Sequence, residues 1–260
     1  MRAELERSVA RLPLVRQLFV RLCAETTAVV ERDGEILVPG TESFVPGILH
    51  KTLEALAHCA RRYAFDFCVR SNASTVIDFA RLPLDELDEP DGPDGPDGRV
   101  AYASTYVWRG DAPFASGTNI VLSRAAVEYV LAHRAELDMR VIDDVALGAL
   151  LRRVTAPVQL SVPMAWNAEF DAASVVYRNR VERRADDVAR MRRIVDAMLR
   201  AREGGERGEG GECQKESAPR EPPEPRASSP VLALVFVPAL LALLALLALL
   251  SMGRKASKSS

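Results

Sequence analysis

The sequence predicts an α/β fold, in which strands and helices alternate and form a mixed sheet flanked by helices. An apolar strand pattern at 35–38 is followed by an amphipathic helix pattern at 46–62 and by a second short apolar run at 65–69. Residues 231–250 are all apolar, and a run of this length is typical of a transmembrane helix. We therefore expect one α/β domain over residues 1–202 and a C-terminal transmembrane helix.

The composition fits a globular domain and excludes some classes of function. Of the 260 residues, 48% are hydrophobic and 27% are charged, which is ordinary for a protein with a packed core. The formal net charge of -2 argues against nucleic acid as a partner, because phosphate binding needs a surplus of Lys and Arg. Four cysteines show neither a zinc spacing nor a disulfide framework, and we interpret those in apolar segments as buried free thiols.

The first 62 residues predict a helix or strand, then a strand and a helix. Residues 1–30 carry apolar side chains at spacings of three and four, which favours an amphipathic helix, although 18–20 could instead form a short buried strand. The turn dipeptide Asp33-Gly34 precedes the strand at 35–38. The helix at 46–62 follows, with a proline in its first turn.

A buried strand at 65–69 ends in the polar cluster 70–75. In open α/β sheets, ligands bind beyond the carboxyl ends of the strands, so this cluster is a candidate site. Apolar character resumes at 76–79. Residues 85–98 then repeat Pro-Asp-Gly and predict an exposed acidic loop.

The segment from Phe114 to Arg153 predicts a strand followed by two helices. Residues 119–122 are strand-like, and Ser123 leads into an apolar helical pattern. The adjacent carboxylates Asp143 and Asp144 then stand at the entrance of a second apolar helix. They could act as an N-cap pair that interacts with the helix dipole, and this interpretation is compatible with a catalytic one.

Two tryptophans and a long basic helix complete the predicted domain. Residues 100–108 alternate like a strand and end in Trp108, an aromatic side chain suited either to stacking on a sugar or to ordinary packing. A strand at 158–162 precedes a predicted loop that carries Trp166. A helix is expected at 186–202, with its arginines mainly on the solvated side.

The C-terminal part predicts membrane anchoring. Residues 203–230 are rich in Gly, Glu and Pro and predict a flexible tether. Residues 231–252 would then cross a lipid bilayer, and 253–260 would form a short basic tail. The lack of a leader peptide favours a tail-anchored protein with its domain in the cytoplasm. The three basic residues after the span favour the opposite orientation, with a lumenal domain.

Five motifs resemble those of a known enzyme family in their order along the chain. They are Lys51-Thr52 on a helix, the strand and turn from Phe65 to Ser74, Phe114-Ala115-Ser116-Gly117, Leu122-Ser123-Arg124, and the stretch from Asp143 to Gly148. This order resembles the Fringe and β-1,3-galactosyltransferase group of GT-A glycosyltransferases. It is closer still to glycosyltransferase-like proteins of large DNA viruses, which share the form Arg-[Ser/Thr]-Asn-x-Ser. The resemblance covers residues 35–166.

The resemblance implies a GT-A-like sheet and an inverting transfer of a hexose from a nucleotide sugar, UDP-linked, to a glycan or glycoprotein acceptor. Asp144 would be the catalytic base that takes the proton of the acceptor hydroxyl, with Asp143 as its neighbour. On the acceptor side, Ser116 and Gly117 would let the acceptor approach the backbone. The acceptor set also includes the two tryptophans, Trp108 and Trp166.

The predicted donor side departs from the family. Where the family has the Asp-x-Asp that binds a divalent cation, Mn²⁺ or Mg²⁺, this chain has Asn72-Ala73-Ser74, whose neutral oxygens are weak ligands. Arg70 could compensate the diphosphate charge, or Asp78 could supply the missing carboxylate. The predicted donor-binding residues are Lys51, Arg70, Asn72, Ser74 and Asp78. A non-catalytic protein that binds nucleotide sugars, or a tail-anchored interaction protein, are the alternatives.

Overall fold

A computed structural model describes residues 1–87, 99–180, 183–208 and 231–236. It contains a large mixed sheet, a small sheet and a hairpin. The strands are β1 (Val15–Cys23), β2 (Val30–Arg32), β3 (Glu35–Pro39), β4 (Phe67–Asn72), β5 (Thr75–Ile77), β6 (Tyr102–Ser104), β7 (Val107–Trp108), β8 (Phe114–Ala115), β9 (Asn119–Ser123), β10 (Val158–Gln159), β11 (Met164–Trp166), β12 (Val176–Arg178) and β13 (Val231–Phe236). The α-helices are α1 (Arg2–Val9), α2 (Gly47–Arg62), α3 (Arg124–Ala132), α4 (Asp143–Leu151) and α5 (Arg184–Gly208).

The eight-stranded sheet has the order β10-β6-β9-β4-β13-β1-β3-β2. Its centre is parallel, since β13 pairs in parallel with both β1 and β4, and β1 pairs in parallel with β3. The strand β9 runs antiparallel to β4, as does β2 to β3. The second sheet has the order β11-β12-β5, and β7 and β8 form the hairpin. The predicted mixed sheet flanked by helices is confirmed.

Helices pack on both faces of the large sheet. The apolar side of α2, with Leu49, Leu53 and Leu56, joins α3 and α4 in the largest buried cluster. On the other face, Met191 and Ile194 of α5 pack with residues of α1 and β1. Because each helix buries one apolar stripe, the sheet between them needs apolar residues on both of its faces.

Several elements differ from the sequence-based expectation. The predicted helix over 1–30 is wrong in extent, since α1 ends at Val9 and the strand alternative is correct for 18–20, which lie in β1. Trp166 belongs to β11 and not to a loop. The helix α5 continues to Gly208, into the predicted tether. Of the predicted acidic loop, residues 88–98 lie outside the described residues.

The start of the predicted membrane span is a strand in this fold. Val231–Phe236 forms β13 at the centre of the sheet, and the side chains of residues 231–235 are buried. A strand buried on both faces in a parallel sheet is continuously apolar, which is also the sequence signal of a membrane helix. Residues 237–252 lie outside the described residues. No helix among the described residues is both long and apolar enough to cross a membrane.

The cysteines that the structure describes are free thiols. Cys59 and Cys68 are buried, as predicted, and Cys23 is partly exposed. Burial raises the pKa of Cys59 to about 12 and keeps this thiol protonated at neutral pH. Cys213 lies outside the described residues.

Candidate functional site

The candidate site lies where the end of β4, the segment before β9 and the first turn of α4 meet. The backbone of Gly117 joins these elements. Its N–H donates to Asp144 Oδ2 at 3.0 Å, while its carbonyl accepts from Asn72 Nδ2 at 2.8 Å and from the guanidinium of Arg70. The backbone of one residue therefore connects the predicted catalytic carboxylate to the predicted donor-binding turn.

Asp143 is a buried anion that holds α4 on the rest of the site. Its Oδ2 lies 2.7 Å from Nη2 of Arg70 and accepts a hydrogen bond from Thr52 Oγ1 at 2.9 Å. Asp143 and Arg70 are 3% and 2% exposed. The Arg70 charge is thus balanced inside the protein by Asp143, and Arg70 does not present an open guanidinium to a diphosphate.

Asp144 is the more accessible of the two carboxylates. Its second oxygen, Oδ1, accepts from the backbone N–H of Val145 at 2.9 Å. Burial, and then the negative charge of Asp143, raise the pKa of Asp144, although the hydrogen bond from Gly117 opposes the shift. A carboxylate with a raised pKa is a better proton acceptor, so the environment suits a general base.

The predicted N-cap role of the two carboxylates is wrong, whereas the dipole interaction is compatible with the fold. The cap residue of α4 is Ile142, and both aspartates lie in the first helical turn. Carboxylates in this turn lie close to the positive end of the helix dipole. Both carboxylates are therefore placed where their negative charge interacts favourably with the helix dipole.

Two predicted donor-binding residues are buried in ion pairs. Lys51 is 0% exposed and its Nζ lies 2.8 and 3.0 Å from the carboxylate oxygens of Glu42, while burial lowers the pKa of Lys51. Asp78 is 3% exposed and pairs with Arg202 of α5. Both charged groups are therefore already paired with an opposite charge inside the protein.

The turn after β4 does not fit a divalent cation. Asn72 Oδ1 accepts from Arg70 Nη1 at 3.2 Å, and Ser74 Oγ accepts from the guanidinium of Arg178. Both oxygens at the altered Asp-x-Asp position are therefore already bonded to cationic groups, which would repel a metal ion. Across the described residues, no group of three His, Cys, Asp or Glu side chains could hold a metal.

Sequence reasoning missed Arg178. It lies on β12, which pairs antiparallel with β5, and its register partner is Thr75 directly after the turn. Ser74 and Arg178 are 104 residues apart in the chain. The available sequence signal was an arginine at the end of an apolar run, which does not by itself identify a strand partner.

Thr52 and Tyr102 are two further residues that position the site. Thr52 forms part of the resemblance through its place on α2, and its hydroxyl bonds to Asp143. Tyr102 is fully buried, and its hydroxyl accepts from the backbone N–H of Ala115 at 2.8 Å, just before Ser116 and Gly117. All three residues of β6 are buried, and no local sequence pattern indicated this contact.

The predicted acceptor residues lie on different elements around the site. Trp108 is 53% exposed and stacks on Phe114 with ring centroids 6.4 Å apart. Trp166 is 51% exposed and is the register partner of Arg178. Ser116 precedes Gly117, and its hydroxyl lies 3.0 Å from that of Thr118. Both indoles are thus exposed, as stacking on a sugar requires.

No protein-family model matches the chain, and a search of curated proteins finds no match.

Proposed function

We propose that this chain is a glycosyltransferase that moves a hexose from a UDP-linked nucleotide sugar to a hydroxyl group of a glycan or glycoprotein, with inversion at the anomeric carbon. The observation that carries the proposal is the set of hydrogen bonds made by the backbone of Gly117. This residue bonds to Asp144 through its N–H and to Asn72 through its carbonyl, so the base and the donor turn are both held by the backbone of one residue.

The chemistry follows from the position and the raised pKa of Asp144. The acceptor oxygen forms a bond to the anomeric carbon, the bond from this carbon to the diphosphate oxygen breaks, and the leaving diphosphate takes the electron pair. Asp144 accepts the proton of the acceptor hydroxyl. Arg70 and Asp143 keep α4 in place through their ion pair and act as positioning residues.

A second candidate function is nucleotide-sugar binding without transfer. It is favoured by the turn itself, in which Asn72 and Ser74 are bonded to arginines and do not offer metal ligands. The third candidate is an interaction protein without a nucleotide site. In that case UDP would not bind at all. The test below separates the three.

The test uses the full chain, because a protein that ends at residue 202 would lack β13 and the end of α5. A panel of UDP- and GDP-sugars is assayed for transfer and hydrolysis, with and without Mn²⁺. We expect turnover of a UDP-sugar, and we expect Asp144→Asn to lower kcat by about 10²- to 10⁴-fold at an unchanged donor KM. The exposed Asp111→Asn is the matched control.

Equal turnover by the wild type and Asp144→Asn would remove the enzymatic proposal. Stabilisation by UDP in a thermal-shift assay without turnover of any donor would support the binding protein. Absence of both would support the interaction protein.

We also propose that the C-terminal apolar residues attach the protein to a membrane. After β13, residues 237–250 are apolar and a basic tail follows. As a helix this stretch would be about 21 Å long, at about 1.5 Å per residue, against roughly 30 Å for a hydrocarbon core. We expect the full chain to float with liposomes and a chain that ends at Phe236 to remain in the dense fraction. Equal flotation of the two would contradict the attachment.

A further inference from the structure

Arg178 projects from β12 onto the turn that carries the altered Asp-x-Asp position. Its guanidinium donates to Ser74 Oγ and lies 3.5 Å from Thr75 Oγ1, and the backbone N–H of the next residue, Asn179, donates to the Ser74 carbonyl at 2.8 Å. The turn is therefore bonded to β12 through both side chain and backbone. This fixes a guanidinium at the position where the resembled family holds its metal.

The surroundings of Arg178 are rich in positive charge. Burial, followed by the charges of Arg180, Arg184 and Arg70, lowers the pKa of Arg178 to about 10, so the group is still protonated at neutral pH. Within the described part of the chain, no carboxylate lies within ion-pair distance of Arg178. The negative charge of Asp187 opposes the lowering of the Arg178 pKa, and Asp187 is itself paired with Arg184 at 2.9 Å.

The charges around Arg178 favour the binding of an anion. Arg70 is compensated by Asp143 and Arg184 by Asp187, whereas Arg178 is bonded to neutral hydroxyls and Arg180 is exposed. A cluster of like charges is unfavourable, and a bound dianion would relieve it. Guanidinium groups bind phosphate oxygens in a bidentate way, so a diphosphate is the anion that this geometry suits.

We propose that Arg178, assisted by Arg180, binds the diphosphate of the donor directly and takes the place of the divalent cation. The inference rests on the proposed function, and it identifies the residues that bind the leaving diphosphate. As the bond between the anomeric carbon and the diphosphate oxygen breaks, negative charge grows on that oxygen, and Arg178 stabilises it. The enzyme then needs no metal for donor binding or transfer.

Trp166 provides a neighbouring contact for the same ligand. It pairs in register with Arg178 in the small sheet, so the two side chains lie on the same face. An exposed indole beside a diphosphate-binding arginine is placed to stack on the uracil or on the transferred sugar. Trp166 is thereby assigned to the donor side and not to the acceptor side.

The test measures binding of UDP, uridine and inorganic pyrophosphate to the full chain by calorimetry, in EDTA and in Mn²⁺. We expect UDP to bind equally well in both. Arg178→Gln keeps a side-chain donor for Ser74 but removes the charge, and it should weaken UDP binding at least 10-fold with uridine binding unchanged. The exposed Arg61→Gln on α2 is the matched control and should change neither.

A second variant keeps the test decisive if Arg178→Gln does not fold. Arg180 is exposed, so Arg180→Glu leaves the core intact and should lower the preference for UDP over uridine by at least threefold. An unchanged preference in both variants, or the loss of UDP binding in EDTA, would overturn the inference.

The inference and the proposed function can fail separately. Transfer that requires Mn²⁺ would overturn the inference and leave the glycosyltransferase in place. Metal-independent UDP or pyrophosphate binding that depends on Arg178, without turnover of any donor, would support the inference and remove the transfer activity.

Discussion

Asp143 and Asp144 are neighbours in the chain but lie in different environments. Asp143 faces the interior and is compensated by Arg70 and Thr52, whereas Asp144 is partly exposed and bonded to the backbone N–H of Gly117. The first has its charge bound in a fixed ion pair. The second is partly exposed and has a raised pKa. This difference supports the proposal that Asp143 positions the site and that Asp144 accepts the proton.

The pKa shift of Asp144 predicts the acid limb of the activity. Burial and Asp143 raise this pKa from the ordinary value of 3.8, and the base must be ionised to accept a proton. Activity should therefore be full at neutral pH and fall, as the pH is lowered, at a pH above 3.8. The measurement is kcat/KM against pH with a saturating acceptor. An acid limb at or below 3.8 would contradict the shift.

The same group predicts a pH-dependent stability difference. An acid whose pKa is raised on folding binds its proton more tightly in the folded state, so its favourable contribution is complete below the unfolded-state pKa and is lost as the pH rises through the folded-state pKa. The free energy of unfolding of the wild type, relative to Asp144→Asn, should therefore fall as the pH rises from about 3.8. Urea titrations at several pH values measure it, and a rising or flat difference would contradict the prediction.

The ion pair between Arg70 and Asp143 predicts a large loss on breaking it. Arg70→Met leaves the Asp143 carboxylate buried without its cation, and we expect a loss of about 3–5 kcal/mol in the free energy of unfolding. Arg70→Met combined with Asp143→Leu removes both charges and should recover most of that loss. Urea denaturation compares the two variants. A double variant as unstable as the single one would show that the pair does not act as a unit.

At the scale of elements, α4 packs closely on the β7–β8 hairpin at Gly148. A Cβ at this position would lie 2.4 Å from the Cβ of Phe114 and 3.3 Å from the Tyr102 hydroxyl. The small residue lets the helix approach the strand, and this approach brings Asp144 within reach of Gly117. The backbone of Gly148 is helical, so the need for glycine is one of space.

Gly148→Ala should therefore both destabilise the protein and impair the site. The added methyl group must push α4 away from β8, which we expect to cost about 1–3 kcal/mol and to lower kcat more than donor binding. Thermal unfolding and steady-state kinetics measure the two effects. Ala149→Ser, on the exposed side of the same helix, is the control and should change neither. A fully active Gly148→Ala would contradict the packing argument.

Local signals predicted some elements and missed others. The spacing of leucines predicted α2 almost to its ends, and Ser123 does cap α3, where its hydroxyl accepts from Ala126 N at 3.2 Å. The small sheet was missed because β5, β11 and β12 are short and pair across long sequence separations. Arg178 lies beside Ser74 because β12 pairs with β5, and no local sequence pattern records this tertiary pairing.

At the scale of the molecule, β13 pairs with the first strand of the sheet, β1, and with the site strand, β4. It lies between β1 and β4 and pairs with both over six residues, from Val231 to Phe236. The sequence pattern could not separate this strand from the start of a membrane helix, because both environments are apolar on every side. The position of β13 is specified by the edges of β1 and β4, with which it pairs. A local sequence pattern does not show these edges.

Leu234→Asp distinguishes the two environments. In the sheet, Leu234 is 0% exposed and packs in the largest buried cluster, so an unpaired carboxylate there should lower the free energy of unfolding by at least about 4 kcal/mol. In a membrane helix over 231–252, the same position lies near the bilayer surface, where a charge costs little. Thermal and urea unfolding of the full chain in mild detergent measure the effect, with Leu234→Ile as the control at under about 1.5 kcal/mol. If Leu234→Asp unfolds like the wild type, β13 is not part of the folded domain in solution, and β1 and β4 must meet without it.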